Sequence, residues 1–185
     1  MDGAKLIVID PRLSNTAAMA DHWLPTWPGS EPALFLAWAK MILERGLYDR
    51  QFMETQVNWD MWMSAVHPNE SIDFDRFIEL LIEEYAEYTP EFAASECKIP
   101  VEQVIEAGEV VANAGSQLCT HVWRSAAIGN LGGWQVSRTL HFLNVLTGSV
   151  GTVGGTSPNS WSKFCLLYTS PSPRNQRGSR MPSSA

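Results

Sequence analysis

The sequence predicts an α/β layered domain, a mainly parallel sheet with helices packed on it, and three observations carry that expectation. Short β-branched runs alternate with longer segments in which apolar residues recur every three or four positions. One of those longer segments is apolar nearly all round, as a helix held between layers must be. Finally, 185 residues, 45% hydrophobic and 18% charged, suffice for one core without disulfides.

The elements follow in order. Lys5-Leu6-Ile7-Val8-Ile9 is a buried strand that stops at Asp10-Pro11. Ser14 or Thr16 can cap a short alanine-rich turn to Ala20. Residues 22–27 are extended and closed by Pro28-Gly29. A helix is expected over 32–45, with Pro32 in its first turn, Ser30 or Glu31 as cap and Gly46 as the left-handed stop. Its apolar residues are Leu34, Phe35, Leu36, Trp38, Met41, Ile42 and Leu43. A short helix is expected over 49–58. An amphipathic one follows over 73–87, with Phe74, Phe77, Ile78, Leu81 and Ile82 on one face. Two more helices cover 90–97 and 101–114. Residues 118–123 read as a third strand, and 133–146 as a last helix with Trp134, Leu140, Leu143, Val145 and Leu146 mostly inward. No internal repeat is evident.

Charge narrows the function classes. Thirteen basic against twenty acidic residues give a net charge of −7, which argues against a nucleic-acid-binding surface. Cys97, Cys119 and Cys165 form no CxxC pair and no disulfide framework, and Cys97 and Cys119 read as buried, inert thiols. The longest apolar run is interrupted by Lys40 and is too short to span a bilayer. No signal peptide opens the chain. All acids lie between Asp2 and Glu109, whereas residues 165–185 carry three arginines and no acid in a Ser/Pro-rich string without periodicity. The expected organisation is therefore a domain over 1–164 and a tail over 165–185 that is disordered or artefactual. Its CLLYTSPSPR string resembles a translated adapter or a frame-shifted read-through. The strand at 5–9 needs neighbours, so polypeptide before Met1 is expected.

The residues carry no self-contained catalytic set. His22, His67, His121 and His141 share no ligand spacing, and there is no GxSxG elbow, P-loop or GxGxxG. Glu79, Glu83, Glu84 and Glu87 read as a solvated helix face. Two features remain. Asp10 ends one strand, and Pro28-Gly29-Ser30-Glu31 ends the next, where open α/β sheets place their ligands. An acid there can accept from sugar hydroxyls or a guanine N–H edge, and a helix start can meet phosphate. Equally, Asp10 can cap its own turn and Gly29 can make a tight corner. The second feature is glycine clustering at 129–133 and 148–155, which suits close backbone approach to a ligand or simple turns.

In this order the residues resemble a known family. Ile7-Val8-Ile9-Asp10-Pro11-Arg12, Thr16-Ala17-Ala18-Met19-Ala20-Asp21, Pro28-Gly29-Ser30-Glu31 and Gly46-Leu47-Tyr48-Asp49 open the match. Tyr88-Thr89-Pro90-Glu91 and Ile99-Pro100 continue it, and Arg138, Leu140, Leu143 and Leu146-Thr147-Gly148-Ser149-Val150-Gly151 with Gly154-Gly155 close it. The set is similar to the molybdopterin oxidoreductases of the dimethyl-sulfoxide-reductase type, over residues 3–164.

The resemblance implies a fragment of a larger catalytic subunit that holds molybdenum or tungsten between two molybdopterin guanine dinucleotides. It implies a Rossmann-like, incomplete dinucleotide-binding domain, inactive in isolation. Asp10 would bind the guanosine end of one cofactor, with Pro11 and Arg12 shaping the loop. Gly29, Ser30 and Glu31 would make the second guanine or ribose contact, Glu31 standing where the family usually has Asp. Trp123, Arg124, Gly129 and Asn130 would approach the pterin or pyrophosphate, Arg124 by its fork of donors. No residue of this chain is expected to ligate a metal. An iron–sulfur cluster would belong to an N-terminal part, and the partners would be the parent's other domains and electron-transfer subunits. Substrate and cellular location stay open. The alternative is a stand-alone, non-catalytic partner-binding module derived from that family.

Overall fold

The structure, a computed structural model, describes residues 3–122, 129 and 131–157. Strand β1 (Ile7–Ile9) and strand β2 (His22–Leu24) pair in parallel, Ile7 opposite His22, Val8 opposite Trp23 and Ile9 opposite Leu24. The link between them contains a 3-10 turn at Ala17–Met19, whose Ala17 N–H donates to Ser14 Oγ at 3.2 Å. Asp21 fastens the start of the pair. Its carboxylate accepts from the Leu6 N–H at 2.9 Å and from Lys5 Nζ at 2.8 Å, which holds its carboxyl below the ordinary range. The other end is held by Trp23 Nε1, which donates to the Asp10 carbonyl at 2.8 Å.

Helix α1 (Glu31–Glu44) is buried along most of its length, at Leu34, Phe35, Ala37, Trp38, Ala39, Met41, Ile42 and Leu43. It ends as the sequence predicts. Gly46 has φ +63°, and the Leu47 and Gly46 N–H groups donate to the Ile42 and Leu43 carbonyls at 3.0 and 3.1 Å, closing a Schellman turn. Helices α2 (Arg50–Gln56), α3 (Trp59–Val66), α4 (Phe74–Glu84), α5 (Pro90–Cys97) and α6 (Val101–Ala112) follow, then a 3-10 turn at Gly115–Gln117 and helix α7 (Gly133–Leu146). α1 packs on α4, α5, α6 and α7. Its contact with α6 depends on a missing side chain. A Cβ on Gly108 would lie 2.7 Å from Trp38 Cδ1 and 2.9 Å from Met41 Sδ. The indole lies in that notch and donates from Nε1 to the Val104 carbonyl, one turn earlier, at 2.9 Å.

Several expectations are corrected. The described residues form a helix-rich fold with a two-stranded parallel sheet, not a mainly parallel sheet with several strands. Residues 118–122 join no ladder, so the third strand is not formed over them, and residue 123 lies outside the described residues. Helix α3 was not expected, although Asn58 precedes it and Pro68 follows its end, and Trp59 and Trp62 pack on Phe77 of α4. Trp134 is 57% exposed, because the inward stripe of α7 runs Gly133, Val136, Leu143 and Leu146 and Trp134 falls roughly 200° of helix rotation from Val136. Arg138 stacks over its ring instead. Cys119 is exposed, whereas Cys97 is buried and its Sγ donates to the Ser30 carbonyl at 3.5 Å. The expected tail over 165–185 lies outside the described residues.

Two measurements test these contacts. Gly108→Ala should gain about 1 kcal/mol of helix propensity and lose about 1–3 kcal/mol to overpacking against Trp38. A net fall in thermal stability is expected, and a rise would show that α1 and α6 have slack between them. Asp21 has a depressed pKa when folded, so its stabilising contribution is complete above its unfolded value near pH 4 and disappears as pH falls through the lower folded value. A carboxyl-carbon titration should place Asp21 below an ordinary aspartate, and Lys5→Met should move it back up.

Candidate functional site

Parallel pairing sends β1 and β2 out at the same end of the sheet, so the segments that follow them meet. Asp10 and Pro11 after β1, and Pro28, Gly29 and Glu31 after β2, line one cavity of about 1180 Å³. The cavity continues inward between β1, α1, α6, α7 and residues 118–122, where its walls become apolar.

Each carboxylate at the rim is half engaged. Asp10 Oδ1 accepts from the Arg12 N–H at 2.9 Å, and Glu31 Oε2 accepts from the Gly29 N–H at 2.8 Å. Both acids therefore brace their own turns. Their second oxygens, Asp10 Oδ2 and Glu31 Oε1, accept no hydrogen bond among the described residues. Gly29 has φ +91°, a conformation that L side chains resist, with open space where a Cβ would stand. The corner thus needs glycine for its backbone and leaves the approach to that backbone clear.

The remaining predicted residues behave differently. Ser30 lies between Gly29 and Glu31, but its hydroxyl donates back to the Trp27 carbonyl at 2.6 Å and does not line the cavity. Arg12 lines a separate hollow with Leu13, Ser14, Asn15 and Thr16. Gly129 is exposed and away from the cavity lining. Trp123, Arg124 and Asn130 lie outside the described residues. The start of α1 is a poorer anion site than a helix start without proline: Pro32 supplies no donor, and the Ala33 N–H is bonded to the Ser30 carbonyl at 3.0 Å. Among the described residues no group of three or more His, Cys, Asp or Glu could hold a metal ion. No described helix is long and apolar enough to cross a membrane.

The second glycine cluster is fixed by a residue the sequence reading passed over. Asn144 is fully buried in α7. Its Oδ1 accepts from Thr120 Oγ1 at 2.5 Å, and its Nδ2 donates to the Leu118 carbonyl, Ser149 Oγ and Thr156 Oγ1 at 3.0, 2.8 and 3.1 Å. One amide thereby ties the glycine loop 148–155 to residues 118–120. Within the loop Gly155 has no room for a Cβ against Thr152 and the Ser149 and Ser116 carbonyls. At Gly148, φ is +64° and a Cβ would come 2.8 Å from the Asp49 Cγ. Asp49 in turn caps α2 through the Phe52 N–H at 2.8 Å and donates its own N–H to the Leu146 carbonyl at 2.7 Å. These glycines are packing requirements. The available signal was a lone Asn inside the apolar stretch Leu143–Leu146.

No protein-family model matches the chain. It is 33% identical over 156 residues to the probable dimethyl sulfoxide reductase chain YnfF of Escherichia coli, covering 83% of this chain and 19% of that one. It is 30% identical over 177 residues to the arsenate respiratory reductase molybdopterin-containing subunit ArrA of a Shewanella strain, covering 91% of this chain and 20% of that one. Against the solved acetylene hydratase of Pelobacter acetylenicus the TM-score is 0.60 at 28% identity, over 80% of this chain and 18% of that one. The chain spans about a fifth of the length of these relatives. Agreement of sequence and fold over this one segment places it: the chain belongs to the molybdopterin oxidoreductases of the dimethyl-sulfoxide-reductase type.

Proposed function

We propose that this chain is a segment of a larger molybdopterin-dependent oxidoreductase, where it forms part of a Rossmann-like domain and holds the guanosine end of a molybdopterin guanine dinucleotide. One observation supports this above the others. Two carboxylates, Asp10 and Glu31, stand at one cavity rim beyond the carboxyl ends of paired parallel strands, each with an oxygen left to accept. Guanine offers adjacent N–H donors along one edge and ribose offers two hydroxyls, so acceptor-only side chains suit both. Gly29 lets a flat base approach the backbone, and Pro11 stiffens the facing loop.

The bound cofactor supplies the redox chemistry, and the protein supplies position and electrostatics. Within that division the chain orients one end of the cofactor. The pyrophosphate contacts fall to Trp123, Arg124, Gly129 and Asn130 in this proposal, and Arg12 and Ser30 support the rim loops. The metal, its ligand, any iron–sulfur cluster and the electron-transfer subunits belong to other parts of the parent, so the chain alone turns over no substrate. Relatives named for dimethyl sulfoxide, arsenate and nitrate share this segment. A part common to them does not choose among their substrates.

Guanosine diphosphate tests the site on the folded chain. Amide shifts at Asp10, Gly29 and Glu31 should titrate with a Kd on the order of millimolar, about −4 kcal/mol of binding. Adenosine diphosphate, which lacks the paired donor edge, should bind more weakly. Asp10→Ala should abolish the shifts at Gly29 and Glu31 while leaving the near-ultraviolet tryptophan spectrum unchanged. Undiminished binding in that variant would remove Asp10 from the site and overturn the proposal.

A further inference from the structure

Asp10 is bonded to β2 on both sides of its Cα. Its N–H donates to the Leu24 carbonyl at 3.2 Å, and its own carbonyl accepts from Trp23 Nε1 at 2.8 Å. Trp23 stands opposite Val8 in the ladder, two residues short of Asp10, and its indole reaches forward across the pair. The indole is half-buried and does not line the cavity, so its part in the site is indirect.

What that bond holds follows from the next two residues. Asp10 Oδ1 accepts from the Arg12 N–H at 2.9 Å, which closes the carboxylate onto the backbone beyond it. Peptide planes are rigid, and the Pro11 ring sets its own φ, so ψ of Asp10 and ψ of Pro11 are the soft torsions between them. Proline keeps the residue before it extended, but over a broad range of ψ. The Trp23 bond fixes the plane of the Asp10 carbonyl and with it ψ, and the Arg12 bond then fixes the carboxylate. The free Oδ2 is aimed by both.

A paired donor edge is the ligand feature most sensitive to that aim. Two parallel N–H donors meet a carboxylate well only when it lies in their plane, because hydrogen bonds weaken steeply away from linear. A ribose hydroxyl rotates to suit its acceptor. A tilt of Asp10 therefore costs a guanine more than an adenine. We propose that Trp23 is the positioning residue that sets a guanine-over-adenine preference at this rim, by holding the Asp10 carbonyl from the neighbouring strand. The proposal rests on the guanosine reading of Asp10. Strand β2 then serves both halves of the rim: it carries Trp23 to Asp10 and runs on through residues 25–28 into the Gly29 corner.

Trp23→Phe keeps an aromatic ring and removes the donor. Guanosine diphosphate should bind this variant about threefold to tenfold more weakly than the unaltered chain, the worth of one neutral hydrogen bond, while adenosine diphosphate changes by less than about twofold. Without nucleotide, three-bond couplings to the Asp10 carboxyl carbon should show one side-chain rotamer in the unaltered chain and an average over several in the variant. The Asp21 carboxyl resonance, at the far end of β1, should stay in place and report an intact ladder. Benzothienylalanine at position 23 has sulfur in place of the N–H and the same bicyclic shape, so it should reproduce the loss even where phenylalanine disturbs folding. Equal weakening of both nucleotides with Asp10 in a single rotamer would assign Trp23 to packing alone and overturn the proposal. So would a full guanine preference with sulfur at that position. If the unaltered chain prefers neither nucleotide, the guanosine reading falls and the preference with it, whereas the Asp10 couplings still decide whether Trp23 orders the carboxylate.

Discussion

The fold depends on helix α1 being buried on nearly every side, and the contact that permits it is a tryptophan lying where a side chain is missing. Trp38 can enter the α1–α6 interface only because Gly108 has no Cβ, and its indole N–H then satisfies itself on the Val104 carbonyl. A buried indole without an acceptor would cost much of what its area contributes. With that contact made, α1 can be covered by α4, α5 and α7 as well. The Gly46 turn then delivers the chain to Asp49, which locks α2 onto the end of α7. One helix thus fixes the positions of most others.

The rim inherits its geometry from the same helix. α1 begins at Glu31, immediately after the Gly29 corner, so burial of Leu34, Phe35 and Trp38 also fixes where the Glu31 carboxylate stands. Asp10 is placed independently, by the β1–β2 ladder, by Trp23 on its carbonyl and by the Asp21 clamp at the far end of β1. Two unrelated supports bring two carboxylates to one edge. Their first oxygens hold their own turns, which removes freedom that a ligand would otherwise have to freeze. The plain and the functional reading of Asp10 are therefore compatible, because a carboxylate has enough lone pairs for both.

Every helix but α3 was legible, because their signals are local. Caps, prolines in first turns, Gly46 and the three- and four-residue spacing of α4 place boundaries within a few residues, and Asp73 and Thr89 cap where such residues should. Non-local demands were not legible. Residues 118–122 carry strand-like residues, but a strand exists only with a neighbour, and composition does not name one. Asn144 drew no notice in the sequence, yet four groups from other parts of the chain converge on it. Gly148 and Gly155 looked available to a ligand and are instead occupied by Asp49 and by the loop's own carbonyls. Trp134 misled because bulk was weighed above angular position on the helix. At the rim, the pairing of Asp10 with Glu31 could be read from strand–turn–strand order alone, whereas the outward turn of Arg12 and the inward bond of Ser30 depend on rotamers that sequence does not carry.

The two halves of the chain are unequally complete. The helical layer closes on itself: α1 is surrounded, α4 presents Glu79, Glu83 and Glu84 to solvent with Arg76 among them, and the aromatic cluster of Trp59, Trp62, Phe74 and Phe77 seals α3 onto α4. Among the described residues the sheet has only two strands, and helices α1, α6 and α7 contribute residues to the cavity beside it. The apolar side chains of α7 that line this cavity, Val136, Leu140 and Leu143, lie in the core or pack against it. The rim residues Asp10 and Glu31 are only as firmly placed as the strand and the helix that carry them.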